Sequence, residues 1–325
     1  MKKITYFFPL LVASISLYSC GGNEKASTLS DSSRVDSIPI NPYTPTVMND
    51  GLLSLNFNGL YFEVDQTNAG RISAFSLNGK NILSGKEVHT TNWGTSLWPS
   101  PQSAWGWPPS KQLDVNAYSG GVKDDAIELV SAKDSLLGFT FTKNYKASPS
   151  DTAVIVTYTI TNNSDKAQSV APWEISRVAP GGLTLYPTGK GKKKNLLAKL
   201  MKDQDGISWF DYDSTTMNFK ESEVPKLMHD GAEGWLAQVS GDLLLIKKFV
   251  DVTLEKTAPG EGEIEFYANP DKSYIEIEQQ GEYTLLAPGA SLSWEVKWYL
   301  RTLPSNAKAE IGNKELITYI RSIAK

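Results

Sequence analysis

The fold is decided by a stretch near the end of the chain, which reads Leu292-Ser293-Trp294-Glu295-Val296-Lys297-Trp298-Tyr299-Leu300-Arg301. Apolar and polar residues alternate along most of it. Successive side chains of a β-strand point to opposite faces, so the alternation separates an apolar face from a polar one. The stretch therefore predicts a strand with one buried and one solvent-facing side.

The same period of two recurs elsewhere in the chain. Residues 53–57 and 154–160 alternate in this way. The turn residues Ser240-Gly241-Asp242 separate two apolar runs, and Asn269-Pro270-Asp271 separate two more. Short turns between such runs are typical of β-hairpins, so we expect one hairpin at 235–249 and another at 264–279.

Helix signals are few. Near the end of the chain, Leu316, Ile317, Ile320 and Ile323 have helical spacing, and Asn313 could cap the helix. A second signal, at 196–201, is one or two turns long. Many short strands with few helices predict an all-β fold, a large antiparallel β-sandwich with a short C-terminal helix. No repeat of fixed period is visible, which disfavours a β-propeller.

The beginning of the chain has the pattern of a lipoprotein signal peptide. A basic start, Met1-Lys2-Lys3, precedes a short apolar run that ends at Ser19-Cys20. We expect a signal peptide at 1–19, lipidation of Cys20, a flexible tether at 20–46 and one domain at 47–325. Gly21 stands where an aspartate often signals inner-membrane retention, so an outer-membrane lipoprotein is expected, facing either side.

Composition narrows the classes of partner and cofactor. The formal net charge is −4 and no basic stripe is visible, so nucleic acid is not an expected partner. The only histidines are His89 and His229, and Cys20 is the only cysteine. No metal site is therefore expected. Phosphate-loop and dinucleotide motifs are absent from the sequence, so no cofactor is expected either.

Residues 92–109 contain four of the nine tryptophans together with four prolines. Their lack of period predicts a long, stiff loop, and such loops often carry function. Tryptophan rings suit the apolar faces of sugars, and nearby amides can orient a ligand. The candidate sugar-binding residues here are Asn92, Trp98, Gln102, Trp105 and Trp107. Alternatively, the loop covers one end of the sandwich.

Two further segments carry candidate residues. Glu276, Glu278 and Gln280 share one face of a predicted strand, where neighbouring carboxylates would raise one pKa and suit a general base; the alternative is an ordinary solvated face. Glu174 shares a face with Ser176, opposite Arg177, and is either a ligand contact or part of an ion pair. His229, beside a predicted turn, is a general acid or a surface histidine.

Several of these segments resemble known families. Gly70-Arg71-Ile72 followed by Asn78-Gly79-Lys80 resembles the opening of galactose mutarotase-like proteins, and Glu278-Gln279-Gln280 is similar to the Glu-x-Gln strand of aldose 1-epimerases. The DUF4380 family, assigned to the same superfamily, resembles this chain in four stretches, at 97–99 with 107–109, at 170–175, at 258–274 and at 286–292. The resemblance spans about 53–304.

The resemblance implies a β-supersandwich whose concave sheet face binds a saccharide. In the epimerases a glutamate takes a proton from the anomeric hydroxyl and a histidine gives one to the ring oxygen. By position, Glu278 would be the base, and Arg71 and Gln280 would contact the sugar. The epimerase motif His-Pro-Tyr-Phe-Asn-Leu is absent from this chain, so the resemblance assigns no general acid.

A lipid-anchored saccharide-binding domain is the leading hypothesis. Whether it is also an enzyme stays open; an enzyme would be an aldose 1-epimerase-like isomerase. One alternative is a hydrolase that pairs Glu278 with Glu276 or Glu174. Another is a structural envelope lipoprotein without a sugar ligand. In that case Trp98, Trp105 and Trp107 would be buried, and Glu276, Glu278 and Arg71 would not converge on one pocket.

Overall fold

The computed structural model describes residues 41, 43–215, 217–220 and 222–325. As predicted, the fold is almost entirely β, with two large antiparallel sheets. The first sheet has the strand order β1 (Thr46–Val47), β2 (Leu52–Phe57), β3 (Leu60–Asp65), β4 (Arg71–Leu77), β6 (Thr95–Ser100), β11 (Gln168–Val178), β19 (Ile275–Gln280), β18 (Ile264–Ala268) and β15 (Lys226–His229), with β5 (Lys80–Asn81) beside β4 and β20 (Thr284–Leu286) beside β11.

The second sheet packs on the first. Its strand order is β13 (Lys202–Gln204), β14 (Ile207–Asp211), β12 (Leu183–Pro187), β16 (Trp235–Ser240), β17 (Leu243–Lys248), β21 (Ser291–Thr302), β10 (Ala153–Asn162), β9 (Phe139–Ser148), β8 (Ala126–Val130) and β7 (Ser119–Lys123). The helices are α1 (Lys111–Asp114), α2 (Lys314–Ile323) and short 3-10 turns at Asn49–Gly51, Gln102–Ala104, Leu196–Leu200 and Leu254–Lys256.

The alternating stretch at 292–301 forms most of β21, in the middle of the second sheet between β10 and β17. Trp298 on its apolar face is fully buried. The rings of Phe62 and Phe75 from the first sheet contact it edge-on, with centroids 6.2 and 5.6 Å away. The main core therefore lies between the two sheets, and burial of such aromatic surface is its principal stabilisation.

Both predicted hairpins form, as β16–β17 and β18–β19. The C-terminal helix α2 also forms, and Asn313 caps it by accepting a hydrogen bond from the backbone N–H of Leu316 at 2.8 Å. The prediction of a loop over the whole of 92–109 was wrong, because Thr95–Ser100 is β6, a central strand. Every residue of β6 is buried, so both of its faces are covered and no alternation is visible.

The predicted signal peptide, Cys20 and most of the predicted tether lie outside the described residues. Within them, Tyr43 packs edge-on against Phe57 with ring centroids 6.0 Å apart, and β1 pairs with β2. None of the helices in the described ranges is both long and apolar enough to span a membrane.

Candidate functional site

The candidate site lies on the face of the first sheet that points away from the second sheet, here called the open face. Strand register defines this face, because residues paired across neighbouring strands share it. Trp173 on β11 pairs with Trp98 on β6 and with Gln280 on β19. The pairs Glu278–Glu265 and Tyr267–Lys226 extend the face across β18 and β15. Glu276, Glu278 and Gln280 therefore share one face, as their spacing predicted.

A cavity of about 250 Å³ opens on this face. Five of its ten lining residues are aromatic, and two amides, one ammonium and one carboxylate supply polar groups. Its lining residues are Asn92, Trp98, Gln102, Trp107, Trp173, Val224, Lys226, Tyr267, Tyr274 and Glu276. A small apolar cleft with a few convergent polar groups is the usual form of a small-molecule site.

Trp98 is the centre of the aromatic cluster. Its ring contacts Trp173, Trp107 and Trp105 edge-on, with centroid distances of 5.3, 5.6 and 6.0 Å. The indole N–H of Trp98 donates to Asp114 at 2.8 Å and that of Trp105 donates to the backbone carbonyl of Pro99 at 2.6 Å. Trp105 therefore supports the wall from behind, whereas Trp107 is 58% exposed and borders the opening.

Two hydrogen-bonded pairs hold the polar groups of the cavity wall. Arg177 donates from Nε to Glu276 at 2.8 Å and stacks on Trp98, 5.2 Å from the ring centroid. The amide of Asn92 donates to the Tyr274 hydroxyl at 2.8 Å. These contacts fix the orientation of Glu276 and Asn92 before any ligand arrives, which lowers the entropic cost of binding.

Glu278 lies beneath the floor of the cavity rather than in its wall, and it is 1% exposed. Its Oε2 accepts a hydrogen bond from the indole of Trp173 at 2.7 Å, while Oε1 has no hydrogen-bond partner among the described residues. Burial raises the pKa of this carboxyl, and the positive charge of Lys226 opposes that rise. A buried carboxyl of raised pKa is the property expected of a proton-transfer group.

Lys226 and Glu265 complete the site, and neither was predicted from the sequence. Lys226 Nζ lies 2.6 Å from Glu265 Oε2 and 4.5 Å from the centroid of the Trp173 ring. Glu265 also accepts from the side chain of Gln280 at 2.9 Å and from the backbone N–H of Gly262 at 2.8 Å. The predicted hairpin was a usable signal for Glu265, because it makes β18 and β19 antiparallel neighbours and its pairing sets Glu265 opposite Glu278.

Glu174, for which the sequence left open a substrate contact, a hydrolase partner of Glu278 or an ion pair, does not reach the cavity and forms an ion pair. It lies on the opposite face of β11, between the sheets, and is fully buried. There it pairs with Lys247 at 2.7 Å and accepts from the Tyr158 hydroxyl at 2.7 Å. Alternation along β11 is the reason, since Glu174 and Trp173 are neighbours and must face opposite ways.

His229, predicted as a general acid or a surface histidine, is buried and does not line the cavity. It is 3% exposed, at the end of β15 and on the opposite face from Lys226. Its Nδ1 lies 2.8 Å from the Tyr186 hydroxyl and its Nε2 lies 3.0 Å from the carbonyl of Gly191. Burial lowers its pKa, so the neutral ring that bridges these two groups is favoured.

Arg71 and Gln280 also lie outside the cavity wall. Arg71 is buried and donates to the backbone carbonyls of Thr91, Trp93 and Asp114 at 2.7, 3.2 and 3.0 Å, so it anchors the segment that leads into β6. Gln280 lies beneath the floor with Glu278. Across the described ranges, no group of three or more histidine, cysteine, aspartate or glutamate side chains could hold a metal ion.

The fold is shared with solved structures of galactose mutarotase-like proteins. A galactose mutarotase-like protein from Clostridium acetobutylicum is 11% identical, with a TM-score of 0.52 over 80% of this chain and 98% of that one. Slr1438 from Synechocystis sp. PCC 6803 is 15% identical, with a TM-score of 0.53 over 80% and 98%. A candidate aldose 1-epimerase from Escherichia coli K12 is 12% identical, with a TM-score of 0.50 over 77% and 98%.

The chain belongs to the DUF4380 family, described as a domain of unknown function, whose family model matches residues 76–301. This confirms the resemblance seen in the sequence. No curated protein matches this chain significantly. The structural neighbours share the fold at low identity, so the chemistry of the open face has to be argued from its own residues.

Proposed function

We propose that this protein binds a saccharide in the cavity on its open face. The observation that carries the proposal is the cavity wall, which combines five aromatic rings with Asn92, Gln102, Lys226 and Glu276. Aromatic faces pack against the C–H faces of sugar rings, and a few fixed polar groups select among hydroxyl arrangements. The neighbouring structures include a galactose mutarotase-like protein, which supports a sugar-related role.

Calorimetric titration of the purified protein with neutral mono- and oligosaccharides tests this proposal. Val224 lines the cavity and is 67% exposed, so Val224→Trp should fill the cavity without disturbing the core. Val47, also 67% exposed but on β1, provides the matched control Val47→Trp. We expect binding by the wild type and the control only. If the wild type bound none of the saccharides tested, the alternative of a structural lipoprotein without a sugar ligand would be favoured.

A mutarotase-like isomerase is the second candidate, and Glu278 is the observation that favours it. Its raised pKa and its unpartnered Oε1 suit a group that exchanges protons. Polarimetry of freshly dissolved aldoses tests this activity, with Glu278→Gln as the inactive variant. Equal rates for the wild type, the variant and buffer would leave binding alone as the function.

We further propose that acylated Cys20 anchors the domain to the outer membrane. The support comes from the sequence pattern around Ser19-Cys20. Metabolic labelling with a fatty acid tests the anchor directly. We expect label on the wild-type chain in the membrane fraction, and neither label nor membrane association for Cys20→Ser; an unlabelled wild-type chain would overturn the proposal.

A further inference from the structure

Lys226 holds an unusual position between a buried acidic cluster and the cavity. Its ammonium lies 2.6 Å from Glu265 Oε2 but 3.7 Å from Glu278 Oε2, and the second distance is longer than a hydrogen bond. An ammonium carries three N–H donors. Glu265 Oε2 lies on one side of the ammonium, the ring of Trp173 lies on another side, and the side chain retains 12% exposure in the cavity wall.

Two of the three carboxylates around Lys226 are less exposed to the cavity than Lys226 is. Glu265 and Glu278 are at most 1% exposed and neither lines the cavity. Glu276 does line it, but its Oε1 is held by Arg177 at 2.8 Å. Of this charged cluster, Lys226 is therefore the cation that can reach a molecule in the cavity.

We propose that Lys226 contacts the ligand directly and donates a hydrogen bond to a hydroxyl oxygen of a neutral sugar, with Glu265 and Glu278 as its counter-ions. The inference rests on the proposed saccharide-binding function and names the substrate class and a specificity-determining residue of the same cavity. Burial alone would lower the pKa of Lys226, but Glu278 and Glu265 outweigh burial and raise it. The side chain thus stays a cationic donor and cannot act as a base.

Charge around the cavity argues for a neutral ligand rather than an acidic one. Glu276 lines the cavity as the ion-pair partner of Arg177, so a ligand carboxylate would place a second negative charge close to it. At short range in a partly buried site, like charges repel strongly. The charged residues that surround Lys226 and the cavity floor are Arg177, Glu261, Glu265, Glu276 and Glu278.

The experiment measures binding affinities by calorimetry. It compares galactose with galacturonate and glucose with glucuronate, each as the monosaccharide and as the corresponding tetrasaccharide. For the wild type we expect the neutral member of a pair to bind at least about 10-fold tighter. Lys226→Met should weaken that binding by about 10-fold, as expected for loss of one charge-assisted hydrogen bond. Lys256→Met is the matched control, because Lys256 forms an exposed pair with Glu282 at 3.0 Å, outside the cavity.

Lys226→Met leaves Glu265 without its cation, so the double variant Lys226→Met/Glu265→Gln is measured beside it. If the wild type binds a neutral sugar and the folded double variant binds it within twofold, Lys226 is not a ligand contact. Tighter binding of the uronate would also overturn the inference while leaving saccharide binding intact. If the wild type binds none of these sugars, the proposed function and the inference fail together.

Discussion

Two buried pairs of glutamate and lysine lie on opposite faces of the same sheet. Glu174 and Lys247 form the inner pair, between the sheets, and Glu278 and Lys226 form the open pair, under the cavity. Both glutamates are at most 1% exposed. They belong to adjacent strands, β11 and β19. The pairs differ in how completely their hydrogen-bonding capacity is used. This difference suggests a structural role for the inner pair and supports a ligand-binding role for the open pair.

The inner pair is satisfied. Glu174 accepts from Lys247 and Tyr158, each at 2.7 Å, and from the side-chain amide of Gln279. Lys247 also donates to Ser176 at 2.5 Å. A buried network in which every member has partners orders the core. No capacity remains there for a ligand.

The open pair is incomplete. Glu278 and Lys226 are 3.7 Å apart, and within the part of the chain that the structure describes Glu278 Oε1 has no hydrogen-bond partner. Leaving a buried acceptor unpaired costs about 1–3 kcal/mol. The incomplete pair lies beside the aromatic cavity, which supports the proposed ligand site.

The largest expected effect breaks the inner pair. Glu174→Gln leaves the buried Lys247 without a counter-ion, so we expect the free energy of unfolding to fall by about 3–5 kcal/mol. Urea denaturation measures it. Lys256→Met, which breaks an exposed pair, should cost less than about 1 kcal/mol. A cost for Glu174→Gln no larger than that of the control would contradict the structural role.

Another buried carboxylate, Glu263, lies between the two cases, because it is hydrogen-bonded but no cation among the described residues lies within ion-pair distance of it. It accepts from the backbone N–H groups of Val252 at 2.7 Å and Gly231 at 3.0 Å. Burial raises its pKa from 4.5 to about 8. Its protonated form is thus favoured in the folded state, and its stabilising contribution is lost as the pH rises from 4.5 towards 8.

Glu263→Gln isolates this contribution, since glutamine does not titrate. The unfolding free energy of the wild type minus that of the variant should fall as the pH rises from 5 to 8, by up to about 1.4 kcal/mol per pH unit. Urea denaturation at half-unit pH steps gives this difference. A flat profile would show that Glu263 titrates alike in the folded and unfolded chain.

A change at the cavity rim should affect the ligand and spare the fold. Trp107 is 58% exposed, so we expect Trp107→Ala to change the free energy of unfolding by less than about 0.5 kcal/mol. Loss of its ring should weaken saccharide binding by about 10-fold. Leu136→Ala, at a residue 61% exposed and away from the cavity, is the control. If Trp107→Ala bound the saccharide with unchanged affinity, the Trp107 ring would not be part of the binding site.

The smallest expected effect is on stability at the open pair. Glu278→Gln keeps an oxygen that can accept the hydrogen bond from the Trp173 indole. It removes a carboxyl group whose pKa is raised by burial. At pH 7 we expect stability within about 1 kcal/mol of the wild type, with a relative gain as the pH rises. Thermal unfolding at pH 5, 7 and 8 checks this. If Glu278→Gln lowered the free energy of unfolding as much as Glu174→Gln, the open pair would have the same structural role as the inner pair.

Much of the fold could be predicted from the sequence, because a half-buried strand imposes a period of two. The decisive stretch at 292–301, both hairpins and the capped terminal helix follow from local patterns. β6 could not be predicted, since its faces are both covered and it carries Pro99 in a central strand. Lys226 was missed for another reason, as β15 is short and offers too few residues for a pattern.

For the site, the sequence by itself determined which residues share a face, and the tertiary structure decided which face is open. Spacing placed Glu276 with Glu278, and Glu174 opposite Arg177. Nothing local distinguishes the side of β11 that meets the second sheet from the side that meets solvent. That choice depends on strands distant in the chain, because β10 and β17 supply Tyr158 and Lys247 to Glu174 while β15 supplies Lys226 to Glu278. Burial of apolar surface between the sheets determines which face of the first sheet packs on the second sheet. The polar residues of each face then pair with the side chains that this packing brings close to them.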